Sequence, residues 1–227
     1  MDKRERIARR VALELRDGDV VNLGIGLPTL VAAYIPEGVE VILQSENGFL
    51  GMGEPVFGED RDIDIVDAGG RHVSIKPIGS FFDSALSFGI IRGGHVDVTV
   101  LGALEVDQYG NLANWIIPGK LVPGMGGAMD LARGAKKVIV ATEHCTKKGT
   151  PKIRERCQLP LTVEKGVHLI VTELAVLEVT PEGLVVKEIS PGVNPRELRE
   201  KTEAPLIFPA GYDKEERKGG SICKLMG

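Results

Sequence analysis

The sequence predicts an α/β fold: a mainly parallel sheet flanked by helices, with a late antiparallel strand extension. Two observations carry this. Short β-branched, apolar runs recur at 20–23, 39–43, 96–101 and 138–141, separated by stretches with helical periodicity or helix caps. The texture then changes between 168 and 189, where three strand-like runs follow one another with only turns between them. No internal repeat and no low-complexity segment interrupts the pattern.

The elements follow in order. Ile7, Val11 and Leu15 share a stripe with Ala8 and Ala12, which predicts a helix over 3–15, ended by Asp17-Gly18-Asp19. A short buried strand at 20–23 precedes a second helix opened by Pro28 and running through Tyr34. The strand at 39–43 ends at Glu46, and strands at 63–66 and 73–75 follow a charged loop. Residues 81–91 read as a helix stopped by Gly93-Gly94, and 96–101 as a strongly β-branched strand. Glycine and proline punctuate 102–125, which carries only short strands. A helix starts at 128–132, and 138–141 is a buried strand. Strands at 169–172, 175–179 and 184–186 form the late meander, with Pro181-Glu182-Gly183 as the turn between the last two. Asn194-Pro195 caps a charged helix to about Thr202. The organisation expected is one domain over 1–205 and a tail over 206–227 that is expected to be mobile.

Composition narrows the function classes. The 227 residues are 43% hydrophobic and 26% charged, as in ordinary soluble proteins, and only 4% aromatic, so Val, Ile, Leu and Ala must build the core. A net charge of −4 without a basic cluster argues against nucleic acid as a partner. Three cysteines, Cys145, Cys157 and Cys223, fit a reducing compartment better than a disulfide framework. The first residues lack an apolar signal region, and the longest uncharged run contains Asn22, Gly24, Gly26 and Pro28, so neither secretion nor a membrane span is expected. The expectation is a cytoplasmic protein.

Three glycine-rich runs hold the candidate chemistry. Gln44-Ser45-Glu46-Asn47-Gly48 places a carboxylate at a strand end, where α/β proteins usually do chemistry. Asn-Gly is also the strongest short hairpin signal. A plain hairpin needs a strand on each side, and the following Phe49-Leu50-Gly51-Met52-Gly53-Glu54-Pro55 is too rich in glycine for a good one, which favours an active-site loop. Asn22-Leu23-Gly24-Ile25-Gly26-Leu27-Pro28 fits a structural turn and a ligand loop equally well; it lacks the third glycine of the dinucleotide fingerprint. Gly124-Met125-Gly126-Gly127 before a helix fits both a tight loop and a set of backbone donors for an oxyanion. His144 and Cys145, with Cys157 further on, lack the ligand count and spacing of a metal site, and no metal is expected. His72, His95 and His168 sit at strand edges and read as structural. Lys147-Lys148 fits a solvated loop and a phosphate contact alike.

Five runs in the same order resemble the β chain, or B half, of the family I coenzyme A transferases, the 3-oxoacid or acetate–acetoacetate CoA-transferase group. They are the segment from Val21 to Thr29, Gln44-Ser45-Glu46-Asn47-Gly48, Ile91-Arg92-Gly93-Gly94-His95, the segment from Gly110 to Lys120, and the segment from Gly124 to Leu131. The resemblance covers nearly all of 1–205 and implies a fold shared with sugar-phosphate isomerases.

It also implies roles. Glu46 matches the family's catalytic glutamate, which attacks an acyl-CoA, forms an acyl-glutamyl anhydride and then a glutamyl-CoA thioester, with ping-pong kinetics. Gly126 and Gly127 match the oxyanion loop, and Asn22 lines the same site. Gly48 and Gly51 complete an E-x-G-x-x-G pattern. Contacts to CoA or substrate are implied at Gly24, Gly26, Asn47, Gly48, Gly51 and Asn114. No cofactor is needed beyond coenzyme A itself, a substrate held transiently as a covalent adduct on Glu46.

The chain departs from the pattern at Ala68-Gly69-Gly70-Arg71-His72, where many relatives have Ala-Gly-Lys, and at Phe81-Phe82, where relatives often have Tyr-Phe. Both changes bear on substrate preference. The family also needs an A half, so a partner α chain in an α2β2 assembly is expected. Two rival readings remain: an acyl-CoA hydrolase, differing only in acceptor, and a non-catalytic ligand-binding module on the same fold.

Overall fold

The computed structural model describes residues 1–120, 122 and 124–209. Most of the expected tail, including Cys223, lies outside the described residues. In chain order the elements are α1 (Lys3–Ala12), β1 (Val20–Leu23), a 3₁₀ helix (Pro28–Tyr34), β2 (Ile42–Ser45), β3 (Phe49–Pro55), β4 (Val73–Phe81), α2 (Ser84–Arg92) and β5 (Val98–Leu101). They continue with β6 (Glu105–Asp107), β7 (Leu112–Ala113), α3 (Ala128–Gly134), β8 (Lys137–Ala141), β9 (Ile153–Arg154) and β10 (Leu169–Val171). The last are β11 (Ala175–Thr180), β12 (Gly183–Ile189), α4 (Pro195–Lys201) and β13 (Leu206–Ile207).

These elements fall into two compact units. One comprises residues 8–102 and 126–138. Its strands run in the order β5-β1-β2-β3-β4. β1 pairs parallel with both β5 and β2, whereas β2, β3 and β4 form an antiparallel meander. Val21, Val98 and Val100 are almost wholly buried, as expected for strands covered on both faces. Asp83 caps α2 by accepting from the Leu86 N–H at 2.8 Å, and the Gly93 N–H closes the helix on the Gly89 carbonyl.

The second unit comprises residues 1–7, 103–125 and the chain from 139 on. Here β10 pairs parallel with β8 and antiparallel with β11, β11 pairs antiparallel with β12, and β12 pairs parallel with β13. This is the late antiparallel extension expected from the sequence. The strands β7-β6-β9 form a separate small sheet. Asn194 caps α4 through a 2.8 Å bond from the Glu197 N–H, with Pro195 at the first turn.

Several boundaries differ from expectation. α1 ends at Ala12, not at 15, and the segment opened by Pro28 is a 3₁₀ helix. The second strand begins three residues further on, at Ile42–Ser45, where it pairs with Val20, Val21 and Asn22 of β1. Residues 63–66 form no strand; only an isolated bridge joins Val66 to His72, and Ile63 is exposed in a run of acidic residues. β4 instead extends to Phe81, and the Asp83 cap delays the helix to Ser84.

Candidate active site

Glu46 sits on the turn of a hairpin. β2 and β3 pair antiparallel, with Ser45 opposite Phe49, so Glu46-Asn47-Gly48 closes them. The glycines of 49–55 argue locally against a strand, yet they lie in one, and their neighbours explain it. Gly51 lies at φ +81°, where the β3–β4 register shifts, and a Cβ there would stand 2.7 Å from the Gly79 Cα. A Cβ on Gly53 would strike Ser74. The glycines allow a bulged strand to lie close to its neighbour. Turn and site loop are therefore the same piece of chain.

Gly48, at φ +136°, fixes the turn. Its carbonyl accepts from the Phe82 N–H at 2.9 Å, and a Cβ would run into the Phe82 carbonyl oxygen. Asn47 Nδ2 donates to the Val66 carbonyl at 2.8 Å, and Ser45 Oγ accepts from the Ala68 N–H at 3.0 Å. The turn is tied on both sides to the loop that follows β3.

The carboxylate has its own supports. The parallel register sets Asn22 of β1 opposite Gln44 of β2. Asn22 Nδ2 donates to Glu46 Oε2 at 3.0 Å and to Gln44 Oε1 at 2.8 Å. Gln44 Nε2 donates to Ser87 Oγ of α2 at 3.2 Å, and Ser87 Oγ donates to the Glu46 carbonyl at 2.8 Å. Asn22, Gln44 and Ser87 are buried, at no more than 1% exposure. Asn22 Oδ1 is buried without a hydrogen-bond donor among the described residues. On the remaining side stands Gly127, buried at the start of α3. A Cβ there would lie 3.2 Å from Glu46 Cγ and 3.5 Å from Oε1.

A cavity of about 990 Å³ opens beside this carboxylate. Ile25, Gly26, Gln44, Glu46 and Arg71 are among the residues that line it. Arg71 is committed to Asp67, with Nε at 2.8 Å and a second guanidinium nitrogen at 2.7 Å, and reaches Thr29 Oγ1 at 3.3 Å. Gly24 packs against β5: its N–H meets the Val100 carbonyl at 2.8 Å, where a Cβ would be tight.

The structure thus gathers Asn22, Glu46 and Gly127, with Asn47, Gly48 and Gly51 shaping the hairpin. Gly126 stands next in chain to Gly127 at φ +52°, with open space where a Cβ would be. Asn114 belongs to the other unit, where its Oδ1 accepts from Thr162 Oγ1 at 2.6 Å. Gln44 and Ser87 escape a reading of the sequence alone. Their signal is faint: a glutamine continuing a buried strand and a serine one turn before the buried Ile91.

The other reactive side chains are otherwise engaged. His144 is fully buried between Thr172 Oγ1 and Thr202 Oγ1, each 2.9 Å from a ring nitrogen, and burial pulls its pKa down to about 4. Burial raises the thiol pKa values of Cys145 and Cys157, which leaves both poor nucleophiles. Among the described residues no cluster of three or more His, Cys, Asp or Glu side chains is placed to hold a metal. No helix among them is long and apolar enough to cross a membrane.

The family described as Coenzyme A transferase matches residues 4–201. The chain belongs to the coenzyme A transferase family. It is 56% identical over 219 residues to the beta subunit of the acetate CoA-transferase of Escherichia coli K12, covering 96% of this chain and 99% of that one. It is 51% identical over 201 residues to the B subunit of the succinyl-CoA:3-ketoacid coenzyme A transferase of Helicobacter pylori 26695, covering 88% and 97%. The fold matches an acyl-CoA transferase apoenzyme of Escherichia coli O157:H7 with a TM-score of 0.75 at 24% identity. That match covers 92% of this chain and spans 42% of the longer one. This CoA-transferase chain is of the beta, or B, type.

Proposed function

We propose that this chain supplies the nucleophile of a CoA-transferase, and that the nucleophile is Glu46. One observation carries the reading: the Glu46 carboxylate is held at a hairpin tip by Asn22 Nδ2 while Gly127 leaves room beside its Oε1. A carboxylate is a weak nucleophile, so positioning and electrostatic support must supply the rate. An oxyanion donor contributes roughly 3–4 kcal/mol in comparable acyl transfers, and the Gly126-Gly127 backbone is the candidate donor.

The steps balance without a redox partner. A Glu46 carboxylate oxygen attacks the thioester carbonyl of the donor, the C–S bond breaks, and an acyl-glutamyl anhydride and CoA thiolate result. The thiolate attacks the glutamyl carbonyl, the anhydride C–O bond breaks, and the donor acid leaves as its carboxylate. The acceptor carboxylate then attacks the glutamyl-CoA thioester, releasing thiolate and forming a new anhydride. The thiolate takes the acceptor acyl group and Glu46 is regenerated. Binding energy from the distant parts of CoA assists these steps. Coenzyme A is thus substrate and transient adduct, and none of these steps calls for a metal.

The names of the relatives suggest the chemistry of the substrates: acyl-CoA donors and short-chain or 3-oxo acids as acceptors. The same names, which mark beta or B subunits, support a partner α chain, and we place the pair in an α2β2 assembly in the cytoplasm. Residues 1–205 then act as the B half of that enzyme.

The test uses the co-expressed complex. Incubated with acetyl-CoA and no acceptor, it should carry CoA on Glu46, detected by mass spectrometry of the peptide. Absence of the adduct together with full activity of Glu46→Ala would sink the assignment. Rapid CoA release without an acceptor acid marks a hydrolase instead.

A further inference from the structure

We propose that Ser87 and Gln44 are positioning residues for the transfer reaction, and that Ser87, acting through Gln44, helps hold the Asn22 amide and the Glu46 backbone in place. The inference rests on the reading of Glu46 as nucleophile. Its ground is the direction of the hydrogen bonds, which run in a closed circuit of four residues.

Ser87 has one hydroxyl hydrogen, and it is given to the Glu46 carbonyl at 2.8 Å. A main-chain carbonyl can only accept. The Ser87 oxygen is thereby left as an acceptor toward its other neighbour, so Gln44 must offer Nε2, at 3.2 Å. Gln44 then points Oε1 the other way, toward Asn22. Facing that acceptor, Asn22 must present Nδ2, at 2.8 Å, and the second hydrogen of the same nitrogen falls on Glu46 Oε2 at 3.0 Å. With either amide reversed, oxygen would face oxygen or nitrogen would face nitrogen at one link. The circuit is pinned at both ends by groups that only accept: the Glu46 carbonyl facing Ser87, and the Gln44 carbonyl, 3.3 Å from Asn22 Nδ2, together with the Glu46 carboxylate facing Asn22.

Two consequences follow for the carboxylate. It meets the Asn22 N–H donor at Oε2 rather than the Asn22 oxygen, so its orientation is set. Glu46 is also gripped twice, at its side chain by Asn22 and at its own carbonyl by Ser87. Oε1 is left on the Gly127 side. The circuit also explains the orphaned Asn22 Oδ1: the amide is held with its nitrogen toward Gln44 and Glu46, and the buried oxygen has no donor among the described residues. Leaving a buried acceptor unmatched is costly. A circuit built only for stability would more readily use apolar side chains at these positions, which are exposed by no more than 1%.

The test is the rate of glutamyl-CoA thioester formation, measured by rapid quench and mass spectrometry on the co-expressed complex with acetyl-CoA. Ser87→Ala and Gln44→Met should each slow adduct formation and kcat by about 10- to 100-fold, as misplaced reacting groups do. KM for acetyl-CoA should stay within about two-fold: Ser87 does not line the cavity, and Gln44, although it does, is 1% exposed with both ends of its amide engaged by Asn22 and Ser87. Ser87→Thr, which keeps the hydroxyl, should regain most of the rate. That recovery separates positioning from general loss of packing, and elution of the complex together with its melting temperature reports folding. If Ser87→Ala does not assemble, the comparison of Ser87→Thr with Gln44→Met carries the test. Adduct formation at the wild-type rate in Gln44→Met would overturn the inference while leaving Glu46 as nucleophile. No adduct in the wild type would instead remove the reading beneath it.

Discussion

A Cβ placed on Gly127 would stand 3.2 Å from Cγ of Glu46 and 3.5 Å from its Oε1. The first distance is shorter than ordinary carbon contact, and Gly127 has an unstrained φ of −83°. Any effect of a side chain here is therefore steric and local. Gly127→Ala should leave the melting temperature within a few degrees of wild type and push the Glu46 side chain aside by a few tenths of an ångström. A displacement of that kind should lower kcat by about 10-fold or more. Steady-state kinetics paired with a thermal melt checks both halves.

Asn22→Asp exchanges an N–H donor for a second carboxylate at 3.0 Å from Glu46 Oε2. Like charges so close cannot both ionise at ordinary pH. One proton should then be shared, and activity should survive only at higher pH than in the wild type. The pH profile of kcat should shift its acidic limb upward, and Asn22→Ala should lose activity without that shift.

His144 predicts an acid-sensitive stability. Its folded pKa is about 4 against an ordinary 6.5, chiefly because burial disfavours the imidazolium, with Glu173 opposing this and Lys201 adding to it. Between pH 6.5 and 4 the unfolded chain binds a proton that the folded chain does not, so stability falls as pH falls through that window. The full loss is on the order of 3 kcal/mol. Urea midpoints taken from about pH 7 down to about pH 4 should fall, and His144→Gln should flatten the slope over this range.

Gly48→Ala tests the hairpin itself. The φ of +136° strains any L-residue with a side chain, and the new methyl meets the Phe82 carbonyl. A cost of about 2 kcal/mol or more is expected, combining backbone strain with the clash. Chemical denaturation should register it. Gly126→Ala, with open space around the position but φ +52°, should cost only about 1 kcal/mol.

Much of this was legible in the sequence, for reasons that differ from element to element. Asn194-Pro195 announces α4 because both cap and first turn have side-chain signatures. The parallel strands show as β-branched runs because both faces are covered. Glu46 stands out as a carboxylate after a strand. The hairpin around it shows only in Asn47-Gly48, because glycine in β3 lowers local strand propensity while easing contact between neighbouring strands, and only the partner strand shows the second effect. Residues 63–66 mimic a strand because apolar and acidic residues alternate there, but the alternation has no core to face. Gln44 and Ser87 meet through a contact 43 positions apart in the chain, and no local pattern carries that.

The bond from Ser87 Oγ ends on the main-chain carbonyl of Glu46, not on its side chain. Every amino acid carries that carbonyl. A protein with Glu46→Ala or Glu46→Gln therefore keeps its backbone tether, its Asn47 bond to Val66 and its Gly48 turn. With Glu46 the proposed nucleophile, such a variant should be a folded but inert stand-in, suited to trapping an unreacted acyl-CoA on the intact enzyme and seeing how the substrate lies before chemistry begins.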